Sequence, residues 1–539
     1  MNHAPVLVVL VPLLAALASL LLPPRLSPWL FGGGLAGVGS LLIPLYQRLL
    51  AAGPFRYRIG GWGWPLGIDF YIDGTGFLML AMTWALLAGI GWYSLAYFRG
   101  RPAGAHFWPL LLLVWAALDN LFVTADVFNM YVTLELLGLL SVALIALAGT
   151  PEAYAAALRY LLAALGGSMC YLLGVAMIYS VSGTLDWVFL RTVLTEGPGA
   201  VMALALVTAG LMLKSAIFPL HFWLPRAHAN APAPVSALLS SLMVKASFYI
   251  SLRMWLWIFP GVLQVHVAGP LLGLLGAGAI LYGSLMALQQ TRLKLLIAYS
   301  TVAQLGYLFV FFALSMHPED VTPALQAVVF FALSHAFAKA ALFMGAGVVQ
   351  RTLGHDALDR LAGSAQRLPQ TVFAFGVAGV SLIGLPPSGG FVGKYLLIDV
   401  AIRERQWFWA VVLAVGGLLA GAYVFKILAR AMTEPPAASP APSLGPSLAA
   451  SAASSALTGE GAPPPAPAVV ASSSLVVEAA ASPLGHADSA PPERGLVWST
   501  WTLAMTAFLL GLLALHPLQV IAIGAPGAGP RLPGAEAAQ

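Results

Sequence analysis

Residues 211–225, LMLKSAIFPLHFWLP, place one lysine and two prolines inside a long apolar stretch. Lys214 would cost several kcal/mol at the centre of a bilayer unless it faced protein, water or a counter-charge. Pro219 and Pro225 remove backbone donors and clash with the preceding turn, so a helix here must break. Carbonyl groups freed at membrane depth are tolerated only when they are buried in protein or line a wet cavity. The stretch therefore predicts a broken membrane helix beside a functional interior.

A second stretch of the same kind lies further along the chain. Residues 384–394, GLPPSGGFVGK, contain Pro386 and Pro387 and end on Lys394. The lysine precedes the break in the first stretch and follows it in the second. Interrupted helices in corresponding positions of two inverted repeats point to an ion or substrate site, and inversion would place both lysines at a similar depth. The alternative is two unrelated proline kinks in a polytopic protein.

The composition around these stretches is that of a membrane protein. Hydrophobic residues make up 60% of the 539 residues, charged residues only 8%, and the mean hydropathy is +0.88. Soluble globular domains do not have this composition. Stretches of about 20 apolar residues, the length that crosses the hydrocarbon core, recur along the chain. The predicted spans are 5–22, 29–49, 74–97, 107–125, 127–149, 156–180, 200–219 continuing to 229, 235–258, 267–289, 293–314, 323–349, 370–400, 407–430 and 497–516.

The order of these spans predicts an all-α polytopic fold with about fourteen transmembrane helices. Spans four to eight and nine to thirteen form two groups of five, and the broken helix is fourth in each group. An odd number of crossings inverts the second group relative to the first. The predicted regions are 1–98 (helices 1–3), 107–258 (first five-helix repeat), 267–430 (second five-helix repeat), 434–493 (a disordered Ala/Ser/Pro-rich loop), 497–516 (the last helix) and 517–539 (a flexible tail). Lysine and arginine are more numerous in the loops after odd-numbered spans, which predicts that both termini lie outside the cell membrane.

Ionisable residues inside the apolar spans are the candidate functional groups. Glu135 and Lys214 suggest an ion pair in the bundle, and such a pair controls how readily the lysine keeps or releases its proton. His335 and Lys339 are four residues apart and share a helix face. Together these side chains predict a proton relay of titratable groups connected by water. The alternative for each is a purely structural role. The predicted relay consists of Glu135, Lys214, Lys245, His335, Lys339 and Lys394.

Three further residues are candidates for gating or for access to the relay. His221 and His228 lie beside the first break, where they would gate the relay or cap freed carbonyl groups. Asp399 is either an exit group or the interfacial end of its span. Three other basic residues lie near span ends and are interpreted as anchors whose charged heads reach the membrane surface. They are Arg159, Arg253 and Lys426.

The sequence has no pattern typical of a cofactor, metal or nucleotide site. The single cysteine, Cys170, rules out a CxxC pair or a cysteine-ligated cluster in this chain. There is no Walker-type loop, no GxGxxG after a strand (we expect no strands), and no metal-ligand spacing. Basic residues are scattered through short loops, which excludes a nucleic-acid patch. An ion gradient or a partner must therefore drive any transport.

Four motifs, in order, resemble those of one family of membrane subunits. They are 124–135 (TADVFNMYVTLE), 213–225 (LKSAIFPLHFWLP) continued by 231–239 (APAPVSALL) and Lys245, 293–307 (LKLLIAYSTVAQLGY), and 384–394. They resemble the antiporter-like subunits of Mrp-type multisubunit cation/proton antiporters, respiratory complex I and membrane-bound hydrogenases. The resemblance covers residues 1–430 and the last helix, and the Ala/Ser/Pro-rich loop departs from it.

The resemblance implies a role for each group. Glu135 and Lys214 would form the coupling pair, Lys245 with His335 and Lys339 a central hydrophilic axis, and Lys394 the terminal site. It also implies a multisubunit complex in the cell membrane, no redox centre in this chain, and transport of protons with Na⁺ or K⁺. The 124–135 motif and VSGTL at 181–185 look most like the D-type Mrp subunit, whereas RAHANAP at 226–232 looks like the hydrogenase relatives.

Three functions follow from these observations. The first is a proton-translocating subunit of a monovalent cation/proton antiporter. The second is a proton-pumping subunit of an NADH:quinone oxidoreductase or membrane-bound hydrogenase complex. The third is a scaffold subunit that transports nothing. Small hydrophobic partner subunits would indicate the first, and partners with cysteine-ligated clusters the second.

Overall fold

Helices account for most of the described chain in the computed structural model, which describes residues 3–62, 67–262, 265–315, 321–434 and 493–526 (backbone only at 265 and 266). The helices are α1 Ala4–Leu21, α2 Ser27–Ala52, α3 Gly74–Tyr97, α4 Ala103–Val123, α5 Val127–Ala146, α6 Pro151–Ser182, α7 Trp187–Val193, α8 Pro198–Lys214, α9 Leu224–Asn230, α10 Ala233–Leu238, α11 Val244–Trp257, α12 Val265–Gln289, α13 Leu293–Leu314, α14 Thr322–Leu353, α15 Ser364–Arg367, α16 Pro369–Ile383, α17 Gly389–Arg403, α18 Trp407–Met432, α19 Arg494–Leu512 and α20 Leu515–Ala522. A π-helical turn, Leu239–Met243, connects α10 to α11.

Twelve helices in the described part of the chain are long and apolar enough to cross a membrane. Two shorter apolar helices, α8 and α16, begin the two spans that the sequence predicts to be broken. The predicted helical, multi-pass membrane fold is therefore confirmed. The fourteen crossings and the inverted repeats remain predictions.

The first break separates α8, which ends at Lys214, from α9, which begins at Leu224. Ala216 has a positive φ of 52°, and the Phe218–Pro219 peptide bond is cis. The indole nitrogen of Trp223 donates to the carbonyl oxygen of Leu213 at 3.0 Å, which satisfies one carbonyl group near the helix end. The break therefore places Lys214 at a helix terminus in the protein interior.

The second break separates α16 from α17. Gly384 has a φ of +88°, and a Cβ at this position would lie 2.8 Å from Cδ of Lys394. Only glycine meets both demands without strain. Ser388 then starts α17, because its side chain accepts a hydrogen bond from the Phe391 backbone N–H.

A short β-hairpin lies between α2 and α3, where the sequence predicts no strands, so that prediction is wrong at this position. Strands β1 (Phe55–Arg58) and β2 (Asp69–Ile72) pair antiparallel, with Phe55 opposite Ile72. Four-residue strands are too short to give a clear alternation of apolar and polar residues.

Helix α14 forms the centre of the bundle. The 18-residue apolar stretch of α14 is buried completely, whereas the corresponding stretches of α1 and α2 are 33% and 28% buried. His335 and Lys339 are therefore far from the bundle's outer surface.

Glycines allow a close approach between α6 and α8. A Cβ on Gly210 would lie 2.4 Å from the carbonyl oxygen of Gly167, and one on Gly167 would lie 3.1 Å from Cγ of Lys214. The two backbones therefore touch one turn before Lys214.

Two predictions lie wholly or partly outside the described residues. Of the loop predicted at 434–493, only Glu434 and Glu493 are described. The tail predicted to be flexible at 517–539 overlaps α20, Leu515–Ala522, and the carbonyl oxygen of Ile523 accepts a hydrogen bond from Gly74 N. The tail is described only as far as residue 526.

Candidate functional site

Glu135 of α5 and Lys214 of α8 form an ion pair inside the bundle. Nζ of Lys214 lies 2.9 Å from Oε2 of Glu135, and the side chains are 6% and 19% exposed. Ser168 of α6 donates its hydroxyl to the same carboxylate oxygen. Three helices therefore meet at one carboxylate, and the two residues that the sequence suggests as a pair are in contact.

A small cavity lies between this pair and α11. It has a volume of about 20 Å³, enough for one water molecule, and is lined by Lys214, Tyr160, Trp223 and Ser247 among others. The Ser215 hydroxyl donates to the Ser247 hydroxyl at 2.9 Å. The cavity beside Lys214 and the hydrogen bond of the neighbouring Ser215 therefore both lead to α11, the helix that carries Lys245.

Lys245 is the second residue after the π-helical turn and is completely buried. Its Nζ donates to the carbonyl oxygen of Ser240 at 2.5 Å. The Ser240 hydroxyl in turn contacts the Thr301 hydroxyl of α13 at 2.9 Å. Single π-turns are frequent at functional sites because they expose backbone groups that an α-helix would occupy.

Lys339 of α14 is held by α13. Its Nζ donates to the carbonyl oxygen of Ile297 at 2.9 Å and to the hydroxyl of Ser300. His335, one turn earlier, is stacked on Phe331 and is 2% exposed. Lys245, Lys339 and Lys394 all lie within electrostatic range of the His335 ring. The structure therefore brings the two lysines and the histidine of the predicted axis together.

His228 also faces this axis, since the charges of Lys339 and Lys245 both act on its ring. It is completely buried at the end of α9, with its ring edge-on to Phe343. Neither ring nitrogen of His335 has a hydrogen-bond partner in the described part of the chain, and those of His228 have none of good geometry, with the Leu224 backbone as the one polar contact given for the ring. Buried polar nitrogens normally have a partner, so both rings are candidates for hydration.

Lys394 of α17 is held by the second break itself. Its Nζ donates to the carbonyl oxygens of Leu382 and Ile383 at 2.7 and 3.2 Å. These carbonyl groups are at the end of α16, where the helix leaves its last acceptors free. The same Nζ lies 4.4 Å from the ring centroid of Tyr307, a cation–π contact.

Gln304 and Tyr423 lie between the residues that hold Lys339 and those that hold Lys394, although the sequence did not predict a role for either. The Gln304 side-chain nitrogen donates to the Tyr423 hydroxyl at 2.9 Å and reaches the Leu382 carbonyl oxygen at 3.5 Å. A cavity of about 10 Å³ is lined by Ser300, Leu382 and Tyr423. The signal that could have found Gln304 is an uncharged polar side chain in the middle of an apolar helix.

The other predicted site residues lie further from this row. His221 is mostly buried and packs against the rings of Phe218 and Tyr282. Asp399 pairs with Arg403, one turn later on α17, at 2.7 Å, and Arg403 is largely exposed. An ion pair with one largely exposed partner is expected where a helix ends at the membrane surface.

One predicted anchor is wrong. Arg253 does not extend to the membrane surface; it is 3% exposed and pairs with Asp73 at 2.5 Å. Asp73 lies in a distant part of the chain, so the position of Arg253 near a span end gave no indication of the pair. Arg159 is exposed, as an anchor would be, and Lys426 donates to the carbonyl oxygens of Leu288 and Gln290.

Asp119 is a buried carboxyl group that the sequence did not single out. It lies in α4 with no exposed surface, and neither oxygen has a hydrogen-bond partner of good geometry in the described residues. The indole of Trp115, one turn earlier, is its nearest polar neighbour on the same helix. An ionised carboxylate without a partner is costly to bury, so this side chain fits the neutral acid.

No group of three or more His, Cys, Asp or Glu side chains in the described residues is arranged to hold a metal ion. The side chains of the site are amines, a carboxylate and imidazoles, all of which can hold a proton. They form a row from Glu135 and Lys214 through Lys245, His335 and Lys339 to Lys394, with water-sized cavities at two of the gaps.

Two interrupted helices and a buried row of cationic side chains define a multi-pass membrane subunit with a charged interior. The chain belongs to the NADH:quinone oxidoreductase/Mrp antiporter transmembrane family, whose model matches residues 124–420. That match includes both breaks and every residue of the buried row.

Relatives of two kinds resemble the chain over most of its length. NADH-quinone oxidoreductase subunit N of Desulforudis audaxviator is 36% identical over 80% of this chain and 86% of the relative. The D-type subunit of the Na⁺/H⁺ antiporter of Alkalihalophilus pseudofirmus is 28% identical over 79% and 86%. A chain of the Mrp complex from Dietzia sp. superposes with a TM-score of 0.80 at 25% identity, covering 98% of this chain and 97% of the other.

Proposed function

We propose that the chain is a proton-translocating subunit of a multisubunit monovalent cation/proton antiporter. The observation that carries the proposal is the Glu135–Lys214 pair, which has a water-sized cavity on its Lys245 side. A relative named as an Na⁺/H⁺ antiporter subunit and the likeness to a chain of an Mrp complex support it.

In the proposed mechanism, separation of the ion pair changes the proton affinity of both partners. Glu135 takes up a proton when Lys214 moves away, and Lys214 releases its own proton into the cavity toward Lys245. The proton then passes through the His335 and Lys339 pair to Lys394. Each group holds the proton only briefly, because each has a neighbour of the same kind within reach.

The arrangement in the membrane is part of the proposal. If each broken segment counts as one crossing, the chain has fourteen crossings in two inverted five-helix repeats, with both termini outside the cell membrane. The partners are other hydrophobic subunits, the lipid bilayer, protons, and Na⁺ or K⁺. His221 and His228, beside the first break, are proposed to gate entry, and Asp399 is proposed as an exit group.

A second candidate is a proton-pumping subunit of a redox-driven complex. The 36% identity to an NADH-quinone oxidoreductase subunit N favours it, since this exceeds the 28% identity to the antiporter subunit. Purification of the native complex separates the two candidates. Small hydrophobic subunits without a cofactor indicate the antiporter, and subunits with cysteine-ligated iron–sulfur clusters indicate the redox complex.

Replacement of Lys214 with Ala tests translocation in either complex. In vesicles that contain the whole complex, Lys214→Ala should abolish proton movement driven by Na⁺, K⁺ or electron transfer, while assembly survives. The matched control is Lys426→Ala, which removes a half-buried lysine held by two backbone carbonyl groups outside the row. Full transport by the assembled Lys214→Ala complex would leave only a scaffold role.

A further inference from the structure

Arg253 is the centre of a buried polar cluster that the proposed relay does not use. Its Nη1 and Nη2 donate to the two carboxylate oxygens of Asp73 at 2.5 and 2.6 Å, and Nη2 also donates to the Tyr249 hydroxyl at 2.7 Å. The Tyr249 hydroxyl donates to the carbonyl oxygen of Phe122 at 2.9 Å. Asp73 also accepts the backbone N–H of Gly76 at 2.8 Å, as the N-cap of α3. Each of these side chains is at least 97% buried.

This cluster continues the relay face of α11. Lys245, Tyr249 and Arg253 follow one another at intervals of four residues, so they lie along one side of the helix. Lys245 belongs to the proposed relay, and Arg253 lies one turn before the end of α11 at Trp257. A polar line therefore leads from the middle of the relay toward one end of the bundle.

The hydrogen bonds along this line cannot pass a proton. A guanidinium group does not release its proton in a protein, so Arg253 is not a step in a relay. Both oxygens of Asp73 are already occupied by N–H donors. The donor chain from Arg253 through Tyr249 ends on the Phe122 carbonyl group, which holds no proton to pass on.

Three aromatic rings cover the cluster on its outer side. The guanidinium carbon of Arg253 lies 5.1 Å from the ring centroid of Trp187. Trp187 packs on Tyr71 and Trp257, with centroids 5.1 and 5.0 Å away. We call Tyr71, Trp187 and Trp257 the aromatic lid. All three rings are buried, so the lid separates Arg253 from the surrounding solvent.

Beyond the lid lies a second ion cluster that is open to solvent. Arg56 of β1 contacts Asp186 at 2.9 Å and Asp69 of β2 at 3.2 Å, and its side chain is 24% exposed. The hairpin therefore carries both Tyr71 of the lid and the outer charges. Two charged layers with apolar rings between them indicate a barrier rather than a channel.

We propose that Arg253, Asp73 and Tyr249 form a proton seal, closed outward by the aromatic lid, which prevents loss of protons from Lys245 to the hairpin surface. The seal rests on the proposed function, since it has meaning only if Lys245 carries protons. The cluster would keep transport coupled, because relay protons reach Lys394 only if the way out along α11 is blocked.

Two substitutions separate a seal from a structural clamp. Arg253→Lys keeps a cation against Asp73 but provides an amine that can release its proton. The double variant Arg253→Gln/Asp73→Asn removes both charges and leaves two amides of similar shape, so no buried charge is unpaired. The matched control is Arg351→Lys, because Arg351 also bonds to backbone carbonyl groups and a carboxylate, but away from α11.

The measurement is passive decay of an imposed pH gradient across vesicles that contain the whole complex, with choline as the only other cation. We expect the gradient to decay several-fold faster for Arg253→Lys and for the double variant, and at the unsubstituted rate for Arg351→Lys. Adding Lys245→Met to the double variant should restore slow decay, because the leak then has no source.

Assembled variants that hold the gradient as well as the unsubstituted complex would overturn the seal. So would a leak that persists after Lys245→Met, since that leak would bypass the relay. Failure of the seal can be distinguished from failure of the proposed function. If Lys214→Ala loses cation-driven transport, the relay is supported, even when the Arg253 variants show no passive leak.

Discussion

Substitution of Gly210 with Ala tests whether the close contact between α6 and α8 places Lys214. The added Cβ would lie 2.4 Å from the Gly167 carbonyl oxygen and 2.9 Å from the backbone nitrogen of Tyr171. Both are backbone atoms, so the helices must separate locally by about 1 Å to restore van der Waals contact. Overpacking of this kind costs about 1–3 kcal/mol.

The displacement reaches the functional pair directly. Lys214 follows Gly210 by one turn, and Ser168, which donates to Glu135, follows Gly167 on α6. The Lys214–Glu135 distance is 2.9 Å, and a shift of about 1 Å takes it beyond hydrogen-bonding range. We therefore expect both a lower melting temperature of the complex and weaker cation-driven proton transport.

The assay is thermal unfolding of the detergent-solubilised complex together with proton transport in vesicles. Gly376→Ala is the control, because Gly376 is also inside a helix but a Cβ there meets nothing within 4 Å. It should leave transport unchanged and stabilise the helix by about 0.5–1 kcal/mol. If Gly210→Ala melts and transports like the unsubstituted chain, the glycine contact does not position the ion pair.

Three further substitutions test separate parts of the structure. Lys214→Arg should keep the contact with Glu135 and the assembly but abolish cation-driven proton uptake in vesicles, because a guanidinium group does not release its proton; normal uptake would exclude Lys214 as a proton carrier. Asp119→Asn should leave the melting temperature of the complex unchanged, since this carboxyl group has no ionic partner in the described residues, and a large fall would reveal one. Asp73→Asn should destabilise the complex by about 3–5 kcal/mol in the same melting assay, because it leaves the buried Arg253 without its counter-charge, and equal melting would show that the pair contributes nothing.

Membrane spans and their breaks could be predicted because they depend on local composition. Clustered proline and glycine favour a break, as at 384–390, although single prolines stay inside other helices, such as Pro12 in α1 and Pro109 in α4. Lys214 and Lys394 are conspicuous in any apolar stretch. Helix ends were less accurate. The span predicted at 156–180 is α6, Pro151–Ser182, because Thr150 caps the helix before the apolar run begins. Hydropathy detects the apolar part of a helix but not its polar first turn.

Contacts between distant segments could not be predicted from one sequence. Arg253 and Asp73 are 180 residues apart, and Gln304 and Tyr423 are 119 residues apart. Only the folded chain brings these side chains together, and nothing in the sequence connects the two members of either pair. The Glu135–Lys214 pair was an exception, since each of its members is an isolated charge in an apolar span and had to find a partner.

The two broken helices hold their lysines in different ways, and we infer that they have different places in the proposed relay. Lys214 faces a carboxylate, whereas Lys394 faces two carbonyl groups that the break in its own repeat leaves free. A carboxylate can be neutralised by a proton or moved by a side-chain rotation. Carbonyl groups at a helix end move only when the helix moves. Proton loading at Lys214 can therefore be controlled by protonation of Glu135, whereas the carbonyl partners of Lys394 cannot be protonated, so its contacts break only when its own side chain rotates or when α16 and α17 shift against each other.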